Sequence, residues 1–150
     1  LVLSSLHTND ACAAPVRLVN LGVEPFLVAT VLRGVLAQRL IRRICPQCRR
    51  EVDVEASVRR MVEAVAEVDG FHAGEGCQRC RGTGFSGRAG VFELLRPDQA
   101  ICDAISASVP HRELAEIARN AGFESMRIDG LRKVAEGLTT VEEVLAATAA

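Results

Sequence analysis

The chain has no tryptophan and no tyrosine, and only five phenylalanines in 150 residues. Proteins that hold single-stranded nucleic acid stack bases on aromatic side chains, so that class of function loses ground. A formal net charge of −1 removes the basic bias that a nucleic-acid surface would need. Lysine is nearly absent: of eighteen basic residues, only Lys133 is lysine. A phosphate-binding loop of the form Gly-x-x-x-x-Gly-Lys-Ser/Thr needs its lysine for the β- and γ-phosphates and its hydroxyl for Mg²⁺. Lys133 lies between Arg132 and Val134, so these residues hold no such loop. Nor do they hold an apolar strand ending in the acidic pair that would bind Mg²⁺. Alone, they are not expected to hydrolyse a nucleotide. No apolar run approaches the roughly 18–20 residues that cross a bilayer. No secretory signal is read at Leu1, which already lies inside an apolar segment. The chain is therefore expected to be the back portion of a longer protein, in a compartment where thiols stay reduced.

What is present supports a folded domain or two small ones: 49% of residues are hydrophobic and 25% charged. The most informative stretch runs from Cys45 to Cys80. It reads Cys45-Pro46-Gln47-Cys48, a gap of 28 residues, then Cys77-Gln78-Arg79-Cys80-Arg81-Gly82-Thr83-Gly84. In a C-x-x-C knuckle the short turn aims both sulfurs at one point, and two knuckles complete the closed tetrahedral shell of structural zinc. All-sulfur sites point to zinc or iron–sulfur chemistry, and nothing here demands redox, so Zn²⁺ is the expected metal. The alternatives are two disulfides, which suit an oxidising compartment, or four unliganded thiols. A closed shell leaves no position for water, so the site is read as a staple and not a catalyst. Cys12 and Cys102 stand alone on apolar helix faces and read as small buried hydrophobes.

The remaining segments set the frame. Leu1-Val2-Leu3-Ser4-Ser5-Leu6 reads as a buried strand ending at His7. His7-Thr8-Asn9-Asp10 comes next, with Asn9 or Asp10 available to cap a helix over 11–21 that Gly22 ends. Polar residues at the carboxyl end of a strand in an α/β sheet are where ligands collect, whereas the plain alternative makes His7 structural and Asn9 and Asp10 caps. Pro25 opens a second helix, and 35–44 tilts towards a strand. Arg39, Arg42, Arg43, Arg49 and Arg50 form a basic cluster that fits either a phosphate-bearing surface or a solvated face. Val54, Val58, Met61, Val62, Val65 and Val68 recur at helical spacing, predicting an amphipathic helix over 54–68 that packs on the metal unit. A strand is predicted over 89–95. Helices are predicted over 99–106, 111–121, 126–136 and 140–147, the last opened by a capping box from Thr140 to Glu143.

Several segments, in order, resemble the carboxyl-terminal part of the type II secretion and type IV pilus assembly ATPases. They are Leu6-His7-Thr8-Asn9-Asp10-Ala11, Arg17-Leu18, Gly22-Val23-Glu24-Pro25-Phe26-Leu27, Leu36-Ala37-Gln38-Arg39-Leu40, the two knuckles with Gly82-Thr83-Gly84-Phe85 and Gly87-Arg88, Val91-Phe92-Glu93, and Gly137-Leu138-Thr139-Thr140 with Glu142-Glu143-Val144. The resemblance implies an α/β fold: the C-terminal part of a RecA-like P-loop motor domain (1–44, His box at 7–9), an inserted tetracysteine zinc subdomain with its returning strand (45–96), and a small helical C-terminal subdomain (97–150). It implies a hexameric, cytoplasmic motor docked on inner-membrane platform proteins, without direct nucleic-acid contact. Such a motor turns ATP hydrolysis, with Mg²⁺, into pseudopilus or pilus extension. By the same resemblance His7 becomes a sensor of the γ-phosphate, with Thr8 and Asn9 beside it at the nucleotide, and Cys45, Cys48, Cys77 and Cys80 become the zinc ligands. The family's Walker A, Asp box and Walker B segments lie upstream of the His box and are not in this sequence. The intact parent is expected to be an ATPase and the 150 residues alone inactive. The competing reading is a zinc-stapled protein-binding module like the knuckle of DnaJ-like proteins, without nucleotide chemistry. Against it, Cys48 is followed by Arg49-Arg50-Glu51 and not by glycines.

Overall fold

A computed structural model describes residues 1–149. Ala150, the last residue of the expected helical subdomain, lies outside the described residues. Along the chain run α1 (Ala13–Asn20), α2 (Pro25–Val31), β1 (Val35–Ile44), β2 (Arg49–Val52), α3 (Ala56–Glu63), β3 (Phe71–Gly74) and β4 (Phe85–Leu95). They are followed by α4 (Gln99–Ser106), α5 (His111–Asn120), α6 (Met126–Ala135) and α7 (Val141–Thr148). The class is mixed α/β. The β-branched run at 35–44, ambiguous by period, forms a strand: β1 pairs with β4. A second sheet pairs β2 antiparallel with β3, Arg49 opposite Gly74 and Val52 opposite Phe71. Among the described residues, no helix is long and apolar enough to cross a membrane.

The chain divides into two compact units. The first comprises Leu1–Ala37 and Glu93–Ser125. Its core is apolar and helical, built from Ala11, Val28, Leu95, Ile101, Ile105, Leu114 and Ala118. Here α2 packs on α1 and α4, and α4 packs on α5. The Asp98 carboxylate accepts the Ile101 N–H at 2.9 Å and caps α4, a contact of the kind that contributes about 1 kcal/mol.

The second unit comprises Gln38–Phe92 and Met126–Ala150. Its buried side chains include Ile41, Val62, Phe71, Val91, Leu131 and Val144. In it α6 packs on α7, α3 and β3. Helices α6 and α7 approach closely because Gly130 carries no side chain: a Cβ there would stand 2.6 Å from Cγ1 of Val144.

Four local expectations are corrected. Leu1–Leu6 is not a strand, and Leu1, Val2 and Leu3 are 104%, 90% and 87% exposed. Both described sheets are two-stranded and use other residues, so this segment's backbone groups have no ladder to join. The helix expected over 54–68 is shortened to α3. Fifteen helical residues would hold their ends about 22 Å apart, whereas Val52 and Phe71 are paired across the second sheet. The returning strand begins at Phe85 and not at Ala89. Finally, the capping box is half made: Thr140 Oγ1 accepts the Glu143 N–H, but the Glu143 carboxylate is bound to Arg42.

Candidate metal centre and the His7–Asn9 segment

The two knuckles converge in the second unit because the chain around them crosses itself at glycines. Cys48 leads directly into β2, and β3 leads through Gly74-Glu75-Gly76 to Cys77, so pairing the strands brings the knuckles together. A Cβ on Gly74 would collide with the backbone of Gly84, and one on Gly76 would stand 2.7 Å from the Gly82 carbonyl oxygen. The glycines after the second knuckle thus let 82–84 lie directly against 74–76. Backbone bonds lock the crossing: Cys45 N–H to the Gly84 carbonyl (2.9 Å), Glu75 N–H to Cys48 (3.1 Å) and Gly82 N–H to Cys77 (3.0 Å). The Thr83 hydroxyl donates to the Cys80 carbonyl at 2.7 Å.

The result is a compact set of four sulfurs, all within 4.8 Å of one another. Sγ–Sγ distances are 3.9 Å for Cys45–Cys77, 3.8 Å for Cys48–Cys80 and 3.7 Å for Cys77–Cys80. Disulfide bonding requires about 2.05 Å, so these are free thiols. A tetrahedron with metal–sulfur bonds of about 2.3 Å has edges of about 3.8 Å, and these three spacings match it. Cys45 and Cys80 are buried and Cys48 and Cys77 half-buried, so the set is largely withdrawn from water. Burial pushes the Cys48 thiol up to about 12, helped by the neighbouring thiols and opposed by the Gly76 N–H. Burial also acts to raise Cys80. The N–H groups of Cys77 and Gly84 and the Cys77 and Cys48 thiols outweigh it and hold Cys80 at about 6. Protons leave such a set collectively, and a cation that replaces them removes the conflict between burial and charge. The geometry and donor set fit a closed structural metal site.

A loop missed by sequence reasoning braces the first knuckle. Residues 137–139, between α6 and α7, run beside the end of β1. Ile44 donates to the Leu138 carbonyl at 2.9 Å, and the buried Thr139 hydroxyl donates to Arg42 O at 2.8 Å. Arg42 then grips Glu143 through Nε (2.9 Å to Oε2) and Nη2, and lies over the Phe85 ring at 4.2 Å. That grip holds the Glu143 carboxyl below the usual carboxylate range. Arg49 bonds His72 at 3.1 Å and Arg50 pairs with Glu75 at 2.8 Å, so part of the basic cluster is spent within this unit.

The segment His7-Thr8-Asn9 belongs to the first unit and has no regular secondary structure. His7 and Asn9 are exposed and Thr8 is half-buried. The residues just after them, Asp10 to Cys12, are firmly held. Asp10 accepts the Ala13 N–H at 2.8 Å, the helix-entry role expected of it, and also meets His111 Nε2 at 3.0 Å. Ala11 and Cys12 are buried in the core, and the Ala11 N–H donates to Glu93 Oε1 at 2.6 Å. Burial, and then the charges of Asp10 and Glu93, push the Cys12 thiol up to about 12, which fits an inert core thiol. Glu93 is legible in principle: Val91, Glu93 and Leu95 share the buried phase of β4, and an acid in that phase needs a partner.

The fold and the centre define a mixed α/β chain carrying a four-cysteine cluster that could hold a metal ion. Residues 1–146 match the family described as Type II/IV secretion system protein, and the chain belongs to that family. It is 48% identical, over 99% of its length, to the type IV pilus assembly ATPase PilB of Thermus thermophilus, of which it covers 17%. It is 46% identical, again over 99%, to the type II secretion system protein HxcR of Pseudomonas aeruginosa, covering 28% of that protein. With the type II secretion system ATPase E of Vibrio cholerae it shares 39% identity over 99% of its length, covering 29%. The chain thus spans less than a third of each of these relatives.

Proposed function

We propose that this chain is the carboxyl-terminal part of an ATP-hydrolysing motor that serves type II secretion or type IV pilus assembly. The observation that carries this reading is the match over residues 1–146, together with relatives of both kinds that bear the name ATPase. In this reading residues 1–44 complete a RecA-like core, 45–96 form the zinc subdomain, and 97–150 supply helices that serve the whole. The nucleotide-binding loop and the acidic Mg²⁺ strand come from the rest of the protein. His7 senses the γ-phosphate of ATP, with Thr8 and Asn9 beside it. An exposed imidazole just ahead of a firmly anchored helix entry suits that role, because it can donate to a phosphate oxygen and register its departure. Cys45, Cys48, Cys77 and Cys80 would hold Zn²⁺, which fixes the two knuckles and leaves no position for water. The working form is a cytoplasmic homo-hexamer that engages inner-membrane platform proteins without touching nucleic acid.

The test compares the intact protein with residues 1–150 alone. The intact protein should hydrolyse ATP with one zinc per subunit, and His7→Ala should cut kcat by about a hundredfold, the scale of losing one transition-state contact. The isolated chain should retain zinc without turnover. Hydrolysis by the isolated chain, or an intact protein that binds zinc but no ATP, would favour the zinc-stapled binding module instead.

A further inference from the structure

Between β4 and the His7–Asn9 segment lies a contact that neither the core nor the metal centre requires. Glu93 is only 5% exposed, and an ionisable carboxylate in an apolar interior is costly unless it is paired or hydrogen-bonded. Its neighbours in the same phase of β4, Val91 and Leu95, are fully buried and apolar, so burial alone does not call for an acid at position 93. The acid is used on a backbone group 82 residues away: Oε1 accepts the Ala11 N–H at 2.6 Å. That N–H lies ahead of α1, where helix geometry supplies no partner for it. One residue earlier, Asp10 is fixed by the Ala13 N–H at 2.8 Å and by His111 Nε2 at 3.0 and 3.1 Å. The polypeptide is therefore clamped at two successive residues, immediately after the segment that carries the exposed His7.

We propose that Glu93, seconded by the Asp10–His111 pair, is a positioning residue that sets the direction in which His7 is presented to the γ-phosphate. The proposal rests on the reading of His7 given above. Glu93 touches no reacting atom. It acts through the Ala11 peptide, whose orientation fixes how the preceding three residues leave the core. An anionic acceptor on a backbone N–H gives a stronger and better-directed bond than a neutral one, and small misplacements of a catalytic contact cost large factors in rate.

The experiment is a double-mutant cycle in the intact ATPase with His7→Ala, Glu93→Ala, Glu93→Gln and the double variant His7→Ala/Glu93→Ala. The readouts are kcat, KM for ATP, melting temperature and hydrogen exchange at the Ala11 amide. Glu93→Ala should lower kcat about tenfold while KM changes less than about twofold, and should speed exchange at Ala11. Glu93→Gln keeps an acceptor of the same shape and should restore most of kcat. In the double variant the two losses should not multiply, because Glu93 works through His7. If kcat falls in each single variant and the losses multiply in the double, Glu93 acts independently of His7 and the positioning role is overturned while the reading of His7 stands. A His7→Ala enzyme with unchanged kcat would remove the reading of His7 and the role of Glu93 with it. Should Glu93→Ala prove too unstable to assay, His111→Ala, which removes the exposed half of the clamp, combined with His7→Ala supplies the cycle at smaller amplitude: losses that multiply overturn the positioning role, and losses that do not multiply support it.

Discussion

The two units reach stability by opposite routes. The first is held by apolar contacts among four helices and the end of β4, with a polar clamp on residues 10 and 11 at its edge. The second spends much of its sequence on a device: two knuckles, two glycine crossings, a short two-stranded ladder, and a loop that braces the first knuckle. A core of the first kind tolerates exchange of similar side chains, because many small contacts share the load. A device of the second kind concentrates its stability in a few atoms with no substitutes. The contrast explains why the second unit carries most of the recognisable motif and the first carries pattern.

The sharpest way to break the comparison is to deny the four sulfurs the Zn²⁺ proposed for them. Structural zinc contributes on the order of 10 kcal/mol of binding free energy to the folding of small domains. Chelation, or Cys80→Ser, should therefore unfold 45–84, seen as loss of amide protection there together with loss of zinc. Protection of α4 and α5 should persist. If they melt with the knuckles, the units are not energetically separate.

The converse substitution is Leu114→Ala, at a side chain 1% exposed in the first core. It should cost about 2–5 kcal/mol, read from denaturant unfolding of the first unit, with zinc content unchanged. Loss of zinc in this variant would show that the centre depends on the apolar core.

The smallest effect concerns Glu143. Arg42 holds its carboxyl below the usual range, so the group is ionised in the folded state at pH values where the unfolded chain begins to bind protons. Its contribution is therefore fully present above about pH 4.3 and is lost as pH falls through the depressed folded value. Because the Arg42 side chain is 56% exposed, the pair is screened. Glu143→Gln should cost about 0.5–1 kcal/mol at pH 7 and flatten the acid limb of the stability curve. An unaltered limb would assign the acid sensitivity to other carboxylates.

Much of this is legible in the sequence, for identifiable reasons. The knuckles can be read because C-x-x-C spacing constrains geometry locally. Helices α4 to α7 can be read because Pro110, Gly122, Gly137 and Thr140 punctuate them. The strand at Val35 is legible only as a tilt, since a short apolar run fits either period until its partner is known. The helix over 54–68 is overdrawn because its valines continue the period beyond Glu63, while pairing between β2 and β3 cuts it short. Residues 49–52 read as a charge run and not as a strand, because their ladder is fixed by the knuckles and not by alternation. Glu143 reads as half of a cap because the motif is local, whereas its actual partner, Arg42, is 101 residues away. Glu93 is not legible as a clamp for the same reason: the N–H it serves is remote in sequence.

The glycine crossing has a consequence for how this region can vary. The ring that begins at Cys48 and returns at Cys77 is closed twice, by the β2–β3 ladder and by the sulfurs, and both closures lie at its base. Residues 64–70, between α3 and β3, take part in neither. Chain can be added there at little entropic cost, because lengthening an already closed loop changes its closure entropy only logarithmically. One residue added between Gly74 and Cys77, or between Cys80 and Gly84, would instead slide one glycine past its opposite number and put a side chain where two backbones touch. Length is thus free at the far end of the ring and fixed to the residue at its neck.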